Sequence, residues 1–453
     1  MTECNQTAFA FEAHFSRQVV ARFDGARTTS DGGALLLRAV DRKISLLKGV
    51  RTCFHDARDP DRVEHALSEL LAQRIYALAL GYEDLNDHEE LRHDPLLGLL
   101  AGKRELEEPL AGKSTLNRLE LTPVGEALCE RYHKITYSSA ALDELLVEVF
   151  LDSYGQAPAQ IVLDLDVTDT PLHGEQEARF FHAYYGHYCY LPLYVFCGEH
   201  LLCARLRPSN QDASAGSVAE VERIVRQVRR RWPYVRIILR ADSGFCREEL
   251  LAWCEKHRVD YVFGFARNSR LRRKIAAQLR EAKREQQRTG RAARVFTEFS
   301  YRTRSSWSRS RRVIAKAEYL EKGENPRYLV TSLGAQAWPA QKLYERLYCA
   351  RGDMENRIKE QLSLFSDRLS TETMRANQLR LYFSSVAYVL VHALRRLALA
   401  GTEWATAQIE TIRLRLLKIA AEVRLTARCV WVRYSRAYPW KAFFANACAA
   451  LSG

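Results

Sequence analysis

Gln160-Ile161-Val162-Leu163-Asp164-Leu165-Asp166-Val167-Thr168 is the stretch that decides the fold. It is short and rich in β-branched residues and leucine, so it reads as a strand. Side chains alternate along a strand, which puts Ile161, Leu163, Leu165 and Val167 on one face and Val162, Asp164, Asp166 and Thr168 on the other. Aspartate is depleted in strands. Two ionised carboxylates on one face repel each other unless a cation lies between them. The plainer alternative is a capped strand end carrying solvated aspartates.

Outward from this strand the pattern stays mixed. Tyr188–Phe196 and Leu201–Arg207 read as strands around Gly198. Ser217 and Glu220 have the spacing of a capping box, and Val218, Val221, Ile224, Val225 and Val228 give the helix behind it one apolar face. Val235–Leu239 reads as a buried strand, Glu248–His257 as a helix and Val259–Phe265 as a strand. Neighbouring strands followed by strands alternating with helices predict a mixed α/β sheet.

Two further carboxylates stand in telling positions. Asp242 follows the apolar strand Val235–Leu239 and precedes Ser243-Gly244-Phe245. Ligands favour the carboxyl ends of strands in open α/β sheets, although a helix N-cap is an equal reading. Downstream, Tyr344, Leu347, Tyr348, Arg351, Glu355, Ile358 and Lys359 fall on one helical stripe. Arg351 and Glu355 on that stripe read either as a buried ion pair or as part of a site.

The chain has 453 residues with a net charge of +13. Segment 267–312 holds 16 of the 68 basic side chains and 3 of the 55 acidic ones, which leaves the remainder balanced at 52 each. Charge focused in this way suits a polyanionic partner, nucleic acid above all; the bland alternative is a solvated loop. The segment merges into strands at Val295–Tyr301, Arg312–Ala317 and Tyr328–Thr331.

The flanks read as helical. Residues 15–30 predict a hairpin turning at Asp24-Gly25. Asp59-Pro60 reads as a helix start, with Val63, Leu67, Leu70, Leu71, Ile75 and Leu78 at helical spacing and Gly81 as the stop. The acidic patch Glu83, Asp84, Asp87, Glu89 and Glu90 reads as a solvated face. A helical stretch lies near Leu142–Phe150, and from Trp338 the chain reads as helical almost to its end. The apolar run Leu381–Leu394 is too short for a membrane span and predicts a buried helix. The opening residues carry no basic start followed by an apolar run, so the expectation is a cytoplasmic protein without a membrane partner. The cysteines show no C-x-x-C pair, which argues against a disulfide framework or a zinc site. Gly112-Lys113-Ser114 ends like a P-loop, but Glu107 stands where that motif needs glycine.

Taken together, these residues resemble the DDE-type transposases of bacterial insertion sequences. The Tyr-x2-Arg-x3-Glu signature of one such group is present as Tyr348, Arg351 and Glu355. The stretches LDLDVTDTPLHG (163–174), YYGHYCYLPLYVF (184–196), LRADSGFC (239–246), WCEKHRVDYVFG (253–264) and YCARGDMENRIKEQ (348–361) are similar to the thirteen-eighty family of insertion sequences. So are TTSDGGALLLR (28–38), the stretch 58–92 and KSTLNRLE (113–120), and the likeness runs from about Arg22 to Ile419.

The resemblance implies a ribonuclease H-like catalytic core with a β-rich basic insertion, flanked by N-terminal and C-terminal helical regions. It divides the chain into an arm (1–30), a helical DNA-binding region (31–153), the first part of the core (154–266), the insertion (267–340), the core's later helices (341–400) and a C-terminal helical region (401–453). It implies Asp166, Asp242 and Glu355 as catalytic carboxylates holding two Mg²⁺ or Mn²⁺ ions, with Asp164 the alternative to Asp166. Tyr348 and Arg351 would position phosphate. The broader group has lysine seven residues after the glutamate, where this chain has Leu362, and Lys359 is the candidate phosphate contact instead. The activity implied is metal-dependent endonuclease cleavage at terminal inverted repeats and strand transfer of a 3′-OH into target DNA, by a homodimer in the synaptic complex.

Further DNA contacts are expected from Arg272, Arg273, Lys274, Arg311 and Arg312, whose dense charge suits phosphates rather than bases. Trp307, between serines, would stack on an unpaired base if exposed. Lys113, Asn117 and Arg118 on a capped helix start would read bases in a major groove. Two rival readings stand beside this one. A domesticated, non-transposing DNA-binding regulator predicts loss of a carboxylate. A metal-dependent sugar transferase fits Asp164-Leu165-Asp166 but leaves the basic segment unexplained.

Overall fold

The computed structural model describes residues 8–123 and 133–452. The first residues read for a leader, 1–7, lie outside them. Contacts divide the chain into two compact units: residues 1–43, 64–116 and 394–453 form one, and residues 44–63 and 117–393 the other.

The second unit is built on a nine-stranded mixed sheet. Across it run His200–Arg205, Leu193–Cys197, Gln160–Val167, Arg236–Ala241, Asp260–Phe265, Arg327–Thr331, Arg311–Leu320 and Ala293–Tyr301, with Gly323–Glu324 paired to Arg311–Leu320. Gln160–Val167 pairs in parallel with Arg236–Ala241, which pairs in parallel with Asp260–Phe265. Every other pairing is antiparallel. The expected Tyr188–Phe196 strand is two strands, His187–Tyr190 and Leu193–Cys197. Pro192 lies between them and has no N–H to give a ladder.

The alternation around Asp164 and Asp166 is as the sequence dictates. Ile161, Leu163 and Leu165 enter the larger core, where they meet Val147, Phe150 and Leu151 of the helix Ser139–Asp152 and Val221, Ile224 and Val225 of the helix Ser217–Arg231. Val162 packs in a smaller core on the other face with Ile238, Val262, Leu343, Tyr344 and Leu347. Leu163 and Leu165 are fully buried, each contributing about 2 kcal/mol of hydrophobic stabilisation. Register therefore fixes the carboxylates to the smaller core's face, because a slip of one residue would expose the leucines.

Several local expectations need correcting. Ser217 is not the helix cap: Gly216, with φ +73°, holds that position. Glu220 turns instead to Arg205 and Arg223 at 2.9 and 3.1 Å. The segment 267–312 is not all strand and loop. It begins with the helices Ser269–Lys274 and Ala276–Thr289 before Ala293–Tyr301. Its strands extend the central sheet rather than forming a separate one.

In the first unit, the N-terminal hairpin pairs Phe9–His14 with Arg17–Ala21 and turns at Phe15-Ser16 instead of Asp24-Gly25. In the second unit the Asp59 cap closes only one 3₁₀ turn, Pro60–Arg62, while the first unit's long helix runs Leu67–Leu80. It stops at Gly81, whose φ of +98° favours glycine. The tail is not wholly helical. Ala421–Leu425 and Val430–Tyr434 form a hairpin, with Thr28–Thr29 as a third strand. The apolar run Leu381–Leu394 does lie in a helix, Met374–Ala398. No helix among the described residues is long and apolar enough to cross a membrane.

Candidate active site

Asp166 sits on the third strand of the sheet order, directly opposite Tyr194 on its antiparallel neighbour. Asp242 ends the adjacent parallel strand. Its Oδ1 accepts from the Gly244 backbone N–H at 2.8 Å, so it caps a short 3₁₀ turn as well. Burial pushes the Asp166 carboxyl up to about 6; Arg351 pulls it back down, and the neighbouring Asp242 adds to the rise. The two carboxylates therefore face a shared space at the carboxyl end of parallel strands.

The third carboxylate comes from the helical segment over the smaller core's face. That segment is not one regular α-helix: Leu343–Tyr348 is wound as a π-helix, Cys349–Arg351 as a 3₁₀ turn and Gly352–Leu362 as α-helix. Such changes of winding recur at functional sites because they re-aim side chains. Arg351 Nη1 donates to Asp166 Oδ2 at 2.7 Å and Nη2 to Glu355 Oε1 at 3.3 Å. The guanidinium thus holds the place between Asp166 and Glu355 that a cation would take. Glu355 itself is 57% exposed, and Lys359 is exposed on the same helix.

Among the described residues, no three His, Cys, Asp or Glu side chains come close enough together to hold one metal ion. The donor chemistry nevertheless fits a hard divalent cation: the groups are carboxylates, and two of them destabilise each other when ionised. For Asp166 and Glu355 to share a metal ion, Arg351 would have to release at least one of them.

Asp164, on the same face, has a different employment. Arg240 stands opposite it in the parallel register and grips it with two hydrogen bonds, Nε to Oδ1 and Nη2 to Oδ2 at 2.7 Å. Arg240 also donates to the Leu347 carbonyl, tying the strand to the π-helical turn. Both side chains are buried. Both oxygens of Asp164 are thus engaged by Arg240 in this structure.

Two residues that the sequence reading passed over belong to the site. Arg240 interrupts the apolar run Ile237-Ile238-Leu239, and a charge inside such a strand was the available signal for a buried partner. Gly264 is the other. A Cβ there would lie 2.8 Å from both the Ser243 backbone nitrogen and the Tyr348 hydroxyl. Glycine inside a strand marks this kind of close approach. It lets Tyr348 reach over the strand towards Asp242.

Beside Asp242 opens a cleft of about 820 Å³. Arg267, Lys316, Arg327 and Arg351 line it together with Tyr328, Tyr344 and Tyr348. Not all of the basic segment serves such surfaces. Arg311 is buried and clamps Glu248 and Glu255 at 2.6 and 2.7 Å. Arg312 bonds Glu298 and the carbonyls of Leu333 and Trp338. Both are withdrawn from the set of free phosphate contacts. Trp307 is only 4% exposed and stacks on Phe265 with centroids 4.9 Å apart. An exposed stacking ring at that position is therefore ruled out. Arg272, Arg273 and Lys274 remain exposed, with Arg272 paired to Glu324.

Lys113, Asn117 and Arg118 are exposed on the helix Lys113–Glu120. Its first N–H is capped by Glu89 at 2.9 Å, so one member of the acidic patch has a structural task.

The sequence profile of transposase DDE domain group 1 matches residues 11–453. The chain belongs to this family. It is a DDE-type DNA transposase. Comparison with curated proteins gives no match. Among solved structures, the transposase is similar to the piggyBac transposase in the cryo-EM structure of its synaptic complex with hairpin DNA. That match covers 86% of this chain and 81% of the other, at 11% identity and a TM-score of 0.42. So loose a likeness bears on neither the fold nor the site.

Proposed function

We propose that this transposase cleaves DNA at the terminal inverted repeats of an insertion sequence of the thirteen-eighty family and joins the freed 3′-OH to target DNA. Asp166, Asp242 and Glu355 are its catalytic carboxylates. The observation that carries this reading is the meeting of half-buried Asp166 and Asp242 at the ends of neighbouring parallel strands, with Arg351 bridging Asp166 to Glu355. The sheet supports a ribonuclease H-like core: three antiparallel strands, His200–Arg205, Leu193–Cys197 and Gln160–Val167, continue into two parallel ones.

Asp166, Asp242 and Glu355 would hold two Mg²⁺ or Mn²⁺ ions. When bound, such ions activate a water or 3′-OH and stabilise the leaving oxygen. The chain's own groups do the rest. Arg351, freed from a carboxylate, offers its paired N–H donors to a phosphate. Tyr348, braced over Gly264, positions the same group. Lys359 contacts phosphate from the helix. Arg272, Arg273 and Lys274 hold the duplex backbone, and Lys113, Asn117 and Arg118 read the element end. The active assembly is a homodimer on double-stranded DNA in the cytoplasm. All three carboxylates are present, so no observation favours a non-cleaving regulator.

The test is cleavage of DNA carrying the inverted repeats that flank the gene, with Mg²⁺, by the purified chain. Asp166→Ala, Asp242→Ala and Glu355→Ala should each abolish cleavage while retaining DNA binding. Normal cleavage by any one of them removes that residue from the catalytic set.

A further inference from the structure

A second cluster beside Asp166 has no task in the reading above. Phe180–His182 and His187–Tyr190 form a small hairpin, closed through Gly186 at φ +77°. Its base is fixed: Cys189 and Tyr190 are buried, and the Tyr190 hydroxyl donates to the Glu177 carbonyl. Its tip and outer face are aromatic and wet. Phe181 is 57% exposed, Tyr184 85% and Tyr188 45%. Phe181 and Tyr188 face each other across the strands at 5.7 Å, and Tyr184 meets Tyr185 at 5.0 Å. The hairpin adjoins the strand that carries Asp166: His187–Tyr190 pairs with Thr170–Pro171, which follows Gln160–Val167 after two residues.

We propose that this hairpin is a stacking platform for unpaired bases of the DNA strand whose phosphate lies at Asp166 and Asp242. The proposal rests on the transposase reading and extends it to a specific surface. Charge selects the occupant. Between residues 169 and 188 the only lysine or arginine is Arg179, against Asp169, Glu175 and Glu177. Arg179 is moreover spent on the Gly174 carbonyl, Glu175 and one face of the Tyr188 ring. Such a surface repels a phosphate backbone. The neutral faces of bases are what exposed tyrosine and phenylalanine rings accept, without regard to sequence. The cleft beside Asp242 has the opposite character, with exposed Arg267 and Arg327 on its walls. A strand crossing the site would therefore offer phosphate to the cleft and bases to the hairpin. A paired duplex has no free base faces, so the platform serves only ends that have opened.

The experiment uses the full chain without divalent metal. Fluorescence anisotropy measures its binding to a labelled oligo-dT of about 16 nucleotides and to a duplex of equal length. Phe181→Ala/Tyr184→Ala/Tyr188→Ala should weaken oligo-dT binding about tenfold or more and leave duplex binding within about twofold. Phe181→Tyr/Tyr184→Phe/Tyr188→Phe, which keeps the rings, should restore the single-strand affinity. Equal loss on both probes, or no loss on either, overturns the proposal. So does a change of oligomeric state with single-strand binding intact, which would make the rings a contact between copies. A wild-type chain that binds neither probe sinks the DNA reading and the platform with it. Wild-type binding that the alanine variant matches sinks the platform alone.

Discussion

Replacing Asp166 with asparagine should make the metal-free protein more stable while abolishing cleavage. The Asp166 side chain is only 15% exposed, and its carboxyl titrates at about 6, against about 4 in an unfolded chain. Folding therefore takes up a proton between these values, and stability is lost as pH rises through the folded value. At about pH 4 the native carboxyl is protonated and the amide of Asp166→Asn mimics it, so variant and wild type should be nearly equal. Above about pH 7 the wild type carries the whole cost of ionising a carboxylate that is buried and, to a lesser degree, faces Asp242, about 3 kcal/mol. Urea titrations in EDTA, followed by tryptophan fluorescence, measure the gap at each pH. Mg²⁺ should then stabilise the wild type and not the variant, since a ligand that binds only the native state adds stability. A gap that is absent at pH 7, or that does not change with pH, would refute the account of Asp166 as a carboxylate held in readiness for a cation.

Asp164→Ala should behave in the opposite way: it strands buried Arg240 and costs about 3–5 kcal/mol in urea unfolding. A stable Asp164→Ala protein that binds DNA but cannot cleave would instead make Asp164 a ligand. Gly264→Ala should push Tyr348 aside and lower the cleavage rate at least about tenfold, with a stability loss of about 1–3 kcal/mol; unchanged single-turnover cleavage would show that the close approach has no catalytic use. Arg311→Met should cost about 3 kcal/mol of stability by abandoning Glu248 and Glu255, with the salt dependence of DNA binding unaltered. Arg272→Gln/Arg273→Gln/Lys274→Gln should do the reverse, flattening the slope of affinity against salt by about three at unchanged stability.

The contrast between those last two variants marks where sequence reading stops. The alternation of 160–168 was legible because period two is a local property, and one buried face is enough to fix which side the aspartates take. The positions of Asp242 and Arg351 were legible for similar reasons, being a strand end and a helical stripe. Pairing at a distance was not. Arg311 and Arg272 sit in the same basic segment with nothing to separate them in sequence, yet Arg311 finds two carboxylates on the helix Glu248–Lys256 and Arg272 lies on the surface. Trp307 was ambiguous in the same way, since its serine neighbours suggested solvent while Phe265, far along the chain, supplied a stacking partner. The tail's hairpin was missed because Ala421–Leu425 and Val430–Tyr434 are joined by a turn without glycine or proline.

Burial separates the surroundings of the two aspartates on one strand face. Asp164 lies deeper, opposite Arg240, and an ionised group at that depth persists only when its lone pairs are met. Asp166 is two residues nearer the strand end, where its neighbour Asp242 supplies repulsion and Arg351 only part of the remedy. A carboxylate pair left under-compensated costs stability, and a fold keeps such a pair where a cation offsets that cost. Under the proposed function, Arg351 would be a placeholder that passes from carboxylate to phosphate when DNA and metal bind. On this view Arg351→Lys should fail for a geometric reason: one ammonium cannot bridge Asp166 and Glu355 and then present paired donors to a phosphate. If Arg351→Lys retained wild-type cleavage and wild-type affinity for DNA, the bridge would be incidental and the site would need another source of phosphate positioning.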